Sequence, residues 1–223
     1  MRWLMVLAAV GYVVCAQVGA HTELAWMSPL AVALLLVAGL LPAWSRGSVP
    51  ALVAGLLAAA ILITSTLAGV PRLPTYFVPP LLLGLVGWFF GRTLRAPSRP
   101  LIARIVQAID GEEFAAQPAV ASYARRLTQT WAVLLATLAA AAVFMAFCVV
   151  PDGALAALGI AAPLPLTPAQ WSHWINLAGY GSVALAFAGE FALRRVLLPQ
   201  APKHSFAEFA RRVARLWPEL RRP

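Results

Sequence analysis

Six apolar stretches divide this chain, and the basic residues between them fall on alternate sides of those stretches. Of its 17 Lys and Arg residues, all but Arg72 lie at the N-terminus, in the second and fourth connecting loops, or in the C-terminal tail. Membrane proteins retain Lys and Arg in their cytoplasmic loops, so the alternation predicts that both ends are cytoplasmic. The sequence therefore predicts a multi-pass protein of a bacterial inner (cytoplasmic) membrane.

Composition supports this class, because 61% of the residues are hydrophobic and only 11% are charged. A soluble domain of 223 residues could not cover so much apolar surface with polar side chains. The net charge of +9 is compatible with nucleic-acid binding, but the basic residues flank the apolar stretches. That placement favours the bilayer and its anionic lipids as partners and argues against nucleic acid. The oligomeric state stays open.

The predicted fold is an all-α integral membrane protein, a bundle of six transmembrane helices with a helical cytoplasmic loop and a C-terminal amphipathic helix. Residues 1–91 form a four-helix transmembrane part, and residues 92–129 form a basic amphipathic cytoplasmic loop. Residues 130–195 carry transmembrane helices five and six with an apolar outer loop, and residues 196–223 form a basic amphipathic tail. The predicted spans are residues 3–20, 29–44, 49–67, 76–90, 130–150 and 174–191.

Two of these spans have unusual ends. The first ends in Val18-Gly19-Ala20, which resembles a signal-peptide cleavage site, but the five spans that follow favour its retention. Whether it is cleaved stays open. The fourth is short and carries Pro79-Pro80 near its start, which predicts an irregular beginning or a locally thinned bilayer.

Two cytoplasmic segments show helical periodicity. In the loop, one pattern of apolar residues ends at Asp110-Gly111, and a second leads directly into the fifth span. In the tail, Ser205 and Glu208 have the spacing of a capping box, which begins a basic amphipathic helix. This helix is predicted to lie on the membrane surface with its aromatic face down. That face carries Phe206, Phe209 and Trp217.

Few polar residues lie within the predicted spans. Glu190 precedes Arg194 by four residues near the cytoplasmic end of the sixth span, so it is either a functional intramembrane carboxylate or part of an interfacial ion pair. The ion pair is the favoured interpretation. Asn176 is predicted to form an interhelical or headgroup hydrogen bond. The small residues Gly179, Ser182, Ala186 and Gly189 share a face of the sixth span and predict close helix packing there.

The sequence predicts no catalytic, cofactor-binding or metal site. Cys15 and Cys148 both lie inside predicted spans, which favours a packing role over a disulfide or a zinc site. His21, Glu23 and His173 could meet on the outer side, but no ligand spacing supports a metal there, and interfacial polar residues are the better interpretation. Enzymatic activity is therefore not expected.

The arginine-rich fourth loop is the strongest candidate for binding. Its arginines, with those of the tail, present planar guanidinium groups, which suit phosphate on lipids or on the phosphopantetheine arm of an acidic carrier protein. The loop arginines are Arg92, Arg95, Arg99, Arg104, Arg125 and Arg126. Of these, Arg104, Arg125 and Arg126 are the predicted binding residues. The alternative interpretation is that these arginines only set membrane orientation and contact anionic lipid.

Four stretches of the C-terminal half carry a resemblance. Residues 101–104, 123–131, 189–195 and 206–209, with Tyr123, Arg125, Arg126, Thr128 and Trp131 as the most specific positions, resemble an uncharacterised family of bacterial polytopic membrane proteins. Members are typically associated with aryl-polyene or xanthomonadin-type biosynthesis clusters, and some carry the label "ketosynthase". That label is not supported here, because a condensing enzyme needs an activated nucleophilic Cys in a soluble fold.

The resemblance implies an accessory protein of polyene-type lipid or pigment biosynthesis. It would dock carrier-bound or lipid-like intermediates at the cytoplasmic face, with acyl-carrier protein or other biosynthetic enzymes as partners. Arg104, Arg125 and Arg126 would hold the phosphate or acidic partner, while Tyr123 and Trp131 would contact the acyl part. The alternative is a small transporter or flippase that exports a lipid-like product through a polar path.

Overall fold

The computed structural model describes residues 2–21, 24, 26–95 and 99–197, and within these ranges the secondary structure is helical, without strands. The predicted all-α class is confirmed. The elements are α1 (Arg2–His21), α2 (Met27–Trp44), α3 (Val49–Leu67), α4 (Leu73–Arg92), α5 (Leu101–Asp110), α6 (Glu112–Ala115), α7 (Pro118–Cys148), α8 (Ala154–Ala157), α9 (Pro168–His173), the π-helical segment π1 (Trp174–Tyr180) and α10 (Gly181–Leu197). The predicted tail helix, with Phe206, Phe209 and Trp217, lies outside the described residues.

Of the described helices, α2, α3, α4 and α7 are long and apolar enough to cross a membrane. Their surfaces carry large apolar side chains that face outward, such as Leu67 at 82% exposure and Leu81 at 70%. Such a surface is costly in water and favourable in lipid, so these helices indicate a membrane protein. Helical structure also covers the first and sixth predicted spans, as α1 and as π1 followed by α10.

The fourth apolar helix begins earlier than the sequence predicts. α4 starts at Leu73 rather than at Tyr76, and it continues through Pro79 and Pro80 to Arg92. Pro74 lies in its first turn, where the missing N–H would have had no intrahelical partner in any case. The helix therefore has 20 residues, or about 30 Å at 1.5 Å per residue, which matches the hydrocarbon thickness of a bilayer.

The fifth apolar helix extends well upstream of the predicted span. α7 has 31 residues, which corresponds to about 46 Å and exceeds the roughly 30 Å of hydrocarbon in a bilayer. α7 is continuous from Pro118, in the second helical segment of the predicted loop, into the predicted fifth span. The break predicted at Asp110-Gly111 is confirmed, because α5 ends at Asp110 and Gly111 adopts a φ of 93°.

The chain forms two compact units. Unit 1 comprises Met1–Leu81 and Ala140–Ala178, and unit 2 comprises Leu82–Ala139 and Gly179–Pro223. Both α4 and α7 contribute residues to each unit. This division differs from the four predicted segments, which concern membrane topology and stay a prediction.

In unit 1, small residues and one tryptophan hold the first three helices together. A methyl group on Gly19 would lie 3.2 Å from Cβ of Met27, which indicates a close approach of α1 and α2. Trp44 Nε1 donates a hydrogen bond to the carbonyl of Ala51 at 2.8 Å, and the indole ring covers Gly55. The loop after α7 returns to the end of that helix, since the amide of Leu166 donates to the carbonyl of Cys148 at 3.1 Å.

In unit 2, glycines on α4 let it approach α7 closely. Gly84, Gly87 and Gly91 face α7, and a methyl group on Gly87 would lie 3.1 Å from Cβ of Leu135 and 3.3 Å from the amide nitrogen of Ala136. The sequence predicts such packing for the sixth span instead. There Ala186 does pack against the apolar cluster of Leu83, Trp131, Leu135 and Ala139, but a Cβ on Gly189 would have no neighbour within 4 Å among the described residues.

Candidate functional site

The candidate site is built on α5, which begins without a cap of its own. Pro100 occupies the N-cap position and makes no side-chain capping hydrogen bond. Two threonines from other parts of unit 2 supply the missing capping hydrogen bonds. The amide of Leu101 donates to Thr93 Oγ1 at 3.0 Å, and the amide of Ile102 donates to Thr128 Oγ1 at 3.3 Å. Because the first amides of a helix have no intrahelical acceptors, these contacts fix the start of α5 against α4 and α7.

The hydroxyl group of Thr128 also donates a hydrogen bond, to the carbonyl of Ala124 at 2.7 Å, and its side chain is fully buried. It belongs to a buried stripe on α7 at intervals of three and four residues. The stripe consists of Val120, Ala124, Thr128, Trp131, Leu135 and Ala139. Tyr123 and Leu127, which belong with Val120 and Trp131 to the apolar pattern that leads into the fifth span, are only half-buried.

The far end of α5 packs in a second apolar cluster. Val106 lies with Ala115 and Val120, and Ile102 and Phe114 pack against them. α5 is therefore fixed at its start by hydrogen bonds and further along by apolar contacts. The predicted cytoplasmic loop is therefore a packed arrangement of α5, α6 and the start of α7 rather than an extended linker.

Two of the three predicted phosphate-binding arginines are exposed on α7. Arg126 is exposed, and so is Arg125, whose Nη2 donates to the carbonyl of Leu94 at 3.4 Å. Arg104 is half-buried on α5, within one helical turn of Ile102. Since Ile102 bonds Thr128, Arg104 and the α7 arginines lie on helices that meet at that contact. We call Arg104, Arg125 and Arg126 the basic surface.

Arg92, one of the arginines that the sequence places in the fourth loop, is the last residue of α4. The guanidinium carbon of Arg92 lies 4.6 Å from the ring centroid of Phe89 and 5.1 Å from that of Trp88. Stacking on aromatic rings orients a guanidinium and leaves its charge available.

Tyr123 and Glu190 are predicted in separate roles, and the structure brings them together. The hydroxyl of Tyr123 donates to Oε1 of Glu190 at 3.4 Å, and both side chains are half-buried. This contact joins α7 to α10 within unit 2. The predicted partner of Glu190 is Arg194, whose side chain lies outside the described residues.

Trp131 and Asn176 occupy different kinds of position. Trp131 is 6% exposed, and its ring lies 4.9 Å from that of Phe187 and 6.2 Å from that of Phe90, so it packs inside unit 2. This placement favours a packing role over the predicted acyl contact. Asn176 is exposed and donates to the carbonyl of Ser172 at 2.9 Å, within its own helical segment.

One exposed ion pair joins the loop that precedes α5 to α6. Arg99 Nη2 lies 2.7 Å from Glu112 Oε1, and Arg99 Nη1 donates to Glu112 Oε2 at 3.0 Å. This two-pronged contact lowers the pKa of Glu112 below its ordinary value and raises that of Arg99, chiefly through the hydrogen bonds. Arg99 is thus committed to a neighbour and is a poor candidate for phosphate.

The cysteines and histidines give no metal centre in the described part of the chain. Cys15 and Cys148 are both buried. His173 is exposed, whereas Glu23 and the side chain of His21 lie outside the described residues. Across the residues that the structure describes, no group of three or more His, Cys, Asp or Glu side chains could hold a metal ion.

Comparison with known proteins gives no relative. The chain matches no family model, no curated protein and no solved structure. The resemblance to the polyene-cluster membrane proteins therefore stays a prediction.

Proposed function

We propose that this chain is a non-catalytic accessory protein of the bacterial inner membrane, with six spans and both ends in the cytoplasm. The helices α5, α6 and the start of α7, at the cytoplasmic face, would dock carrier-bound or lipid-like intermediates of polyene-type lipid or pigment biosynthesis. The partner would present phosphate and acidic groups to the basic surface. The resemblance of residues 101–104 and 123–131 to the polyene-cluster proteins is the source of the pathway assignment.

The observation that carries this proposal is the exposure of Arg125 and Arg126 on a helix that is fixed in place. Thr128, less than one turn away, is fully buried and bonds both its own helix and the start of α5. Guanidinium groups on such a support lose little conformational freedom when they bind, apart from that of their own side chains. They suit phosphate or carboxylate groups, which accept paired hydrogen bonds from arginine.

The continuity of α7 supports a role at the membrane surface. The helix that carries both arginines runs on into a segment apolar enough to cross a bilayer. A partner held at Arg125 and Arg126 would therefore lie close to lipid, where an acyl intermediate could transfer from a carrier into the bilayer.

The alternative, export of a lipid-like product, calls for polar side chains directed at a shared path. Thr64 donates to the carbonyl of Ala60, Thr66 to that of Leu62, and Asn176 to that of Ser172. Each of these side chains bonds its own helical segment. This local pairing supports docking in preference to export.

The test is native mass spectrometry of the detergent-purified protein with acyl-carrier protein and with anionic lipids. We expect a carrier-protein complex in the wild type and its loss in the Arg125→Gln/Arg126→Gln variant. Losing two charged hydrogen-bond donors should weaken binding at least tenfold, since each contact to a charged group contributes about 1.5–3 kcal/mol.

Arg46→Gln is the control, because Arg46 is an exposed arginine in the turn between α2 and α3, far from α5 and the start of α7 in the sequence. It should leave the carrier-protein complex intact. Anionic-lipid adducts that persist in all variants, with no carrier-protein complex in the wild type, would refute docking and leave the arginines as determinants of orientation.

A further inference from the structure

A second cluster of polar side chains lies in unit 1, at the end where α4 begins and α7 ends. Arg72 Nη1 and Asp152 Oδ2 are 3.7 Å apart, and both side chains are partly exposed. Behind them Tyr76 and Trp171 pack edge to face, with ring centroids 5.0 Å apart. Arg72 directly precedes α4, and Tyr76 follows it by four residues, about one helical turn. We call Arg72, Tyr76, Asp152 and Trp171 the Tyr76 cluster.

Tyr76 and Trp171 each bury a hydrogen-bond donor. Tyr76 is 5% exposed and Trp171 is 7% exposed, yet among the residues that the structure describes neither the Tyr76 hydroxyl nor Trp171 Nε1 has a hydrogen-bond partner. Buried polar groups in proteins are almost always bonded, because leaving one unsatisfied is costly. Two such donors beside one ion pair therefore point to a bound group that accepts hydrogen bonds from both.

An apolar groove lies at the same end of unit 1. It has a volume of about 390 Å³, within the usual range of ligand sites, and it runs between the start of α2 and the end of α3. Its single hydroxyl group, on Thr66, donates to the carbonyl of Leu62 and so offers no unpaired donor to a ligand. The groove is lined by Pro29, Leu30, Ala33, Leu62, Ile63, Thr66 and Leu67.

The chain connects this groove to the Tyr76 cluster at two points. Leu67, which lines the groove, ends α3, and the short turn that follows leads directly to Arg72. Thr75 Oγ1 donates to the carbonyl of Ser28 at 3.5 Å, and Ser28 precedes the groove residue Pro29. A single amphipathic molecule could therefore place a hydrocarbon chain in the groove and a polar head at the cluster.

We infer that the Tyr76 cluster and the α2–α3 groove together bind one phospholipid with a zwitterionic phosphate–ammonium headgroup. Phosphate oxygens accept from the Tyr76 hydroxyl and Trp171 Nε1 and face the Arg72 guanidinium, while the ammonium group faces Asp152. An acyl chain lies in the groove. This site is in unit 1 and does not depend on the docking function proposed above.

Charge decides between a zwitterionic and an anionic lipid. The cluster holds one guanidinium and one carboxylate, so its formal charge is balanced. An anionic headgroup would place a second negative charge beside Asp152 with nothing to offset it, whereas a phosphate–ammonium headgroup complements both side chains. Discrimination of this kind rests on the repulsive element as much as on the attractive one.

The experiment is a native mass spectrometry titration of the delipidated full-length protein with phosphatidylethanolamine or phosphatidylglycerol carrying identical acyl chains. We expect tighter binding of phosphatidylethanolamine to the wild type, and binding about fivefold weaker in Tyr76→Phe, which removes one donor and keeps the ring. Asp152→Asn should abolish the preference between the two lipids. Ala33→Phe, which fills the groove, should weaken both.

Tyr180→Phe is the matched control, since Tyr180 lies outside the cluster and is 46% exposed. It should leave binding of both lipids unchanged. Equal affinity of the wild type for the two lipids would overturn the inference. Unchanged phosphatidylethanolamine binding in Tyr76→Phe would overturn it as well.

Discussion

Two pairs of buried polar side chains, one pair in each unit, differ in their hydrogen bonding. In unit 2, Thr93 and Thr128 are both buried, and each hydroxyl accepts a bond from an α5 amide and donates one to a carbonyl of its own chain segment. In unit 1, Tyr76 and Trp171 are also buried, but among the described residues the Tyr76 hydroxyl and Trp171 Nε1 have no hydrogen-bond partner. The hydrogen bonds of the first pair are complete within unit 2, whereas the described residues supply no acceptor to the second pair.

This difference suggests a structural role for Thr93 and Thr128 and a ligand-binding role for the Tyr76 cluster. A buried hydroxyl with both of its roles filled fixes the backbone around it, so the threonines of unit 2 hold the elements that carry the basic surface. A buried donor without a partner costs stability until something binds it. Unit 1 should therefore gain stability from a ligand at the Tyr76 cluster, whereas unit 2 should not depend on one for its packing.

The largest effect should come from filling the close contact between α4 and α7 in unit 2. Gly87→Val places side-chain carbon where Leu135 Cβ and the Ala136 backbone already lie, 3.1 and 3.3 Å from a Cβ at this position. Because one of these neighbours is backbone, which yields less readily than the end of a flexible side chain, we expect a loss of about 3 kcal/mol in folding free energy. The measurement is the thermal midpoint of the detergent-purified protein.

Gly39→Val is the matched control, since a Cβ on this helical glycine of α2 would meet nothing within 4 Å. Its midpoint should stay near that of the wild type. Similar midpoints for the two variants would show that α4 and α7 do not approach each other as closely as described.

A pair of isosteric deletions tests the contrast between the units directly. Thr128→Val leaves the Ile102 amide without its acceptor, so we expect a loss of about 1–3 kcal/mol in folding free energy. Tyr76→Phe removes a hydroxyl that has no partner, so it should leave the thermal midpoint of lipid-free protein unchanged or slightly higher. Thr66→Val, at an exposed hydroxyl bonded to its own helix, is the control and should change the free energy by less than about 0.5 kcal/mol. A Thr128→Val protein with the same folding free energy as the wild type would contradict the role of Thr128 in anchoring α5.

The all-helical class and the four apolar helices follow from the sequence because hydropathy and helical periodicity are local properties. The break at Asp110-Gly111 was predictable for the same reason, since only glycine adopts the observed backbone angle easily. α4 starts three residues before its predicted start, because Pro74 fits the first helical turn and Pro79-Pro80 do not interrupt the helix.

The contacts that define the two sites join residues far apart in the chain, and no local pattern reports them. Tyr76 and Trp171 are in contact although nearly a hundred residues separate them in the sequence. The close approach of Gly87 to α7 is likewise a tertiary contact. Small residues occur on several of the apolar segments, so the sequence could not show that the close approach uses α4 rather than the sixth span. The anchoring role of Thr128 was equally hidden, because its partner is the backbone of Ile102 and not a side chain.

The smallest effect should come from the exposed Arg99–Glu112 pair, which completes the surface of unit 2. Arg99 holds the pKa of Glu112 below its ordinary value of 4.5, so the folded state favours the ionised carboxyl more than the unfolded state does. The stabilisation is therefore present at neutral pH and is lost as the pH falls through the lowered pKa. Glu112→Gln should have a slightly lower thermal midpoint than the wild type at pH 7, and the two midpoints should converge once the pH has fallen below the lowered pKa of Glu112. Glu113→Gln, at the exposed neighbouring residue, is the control and should leave the thermal midpoint at pH 7 unchanged. A difference in midpoint between Glu112→Gln and the wild type that widened in acid would mean that the ion pair does not stabilise the folded state.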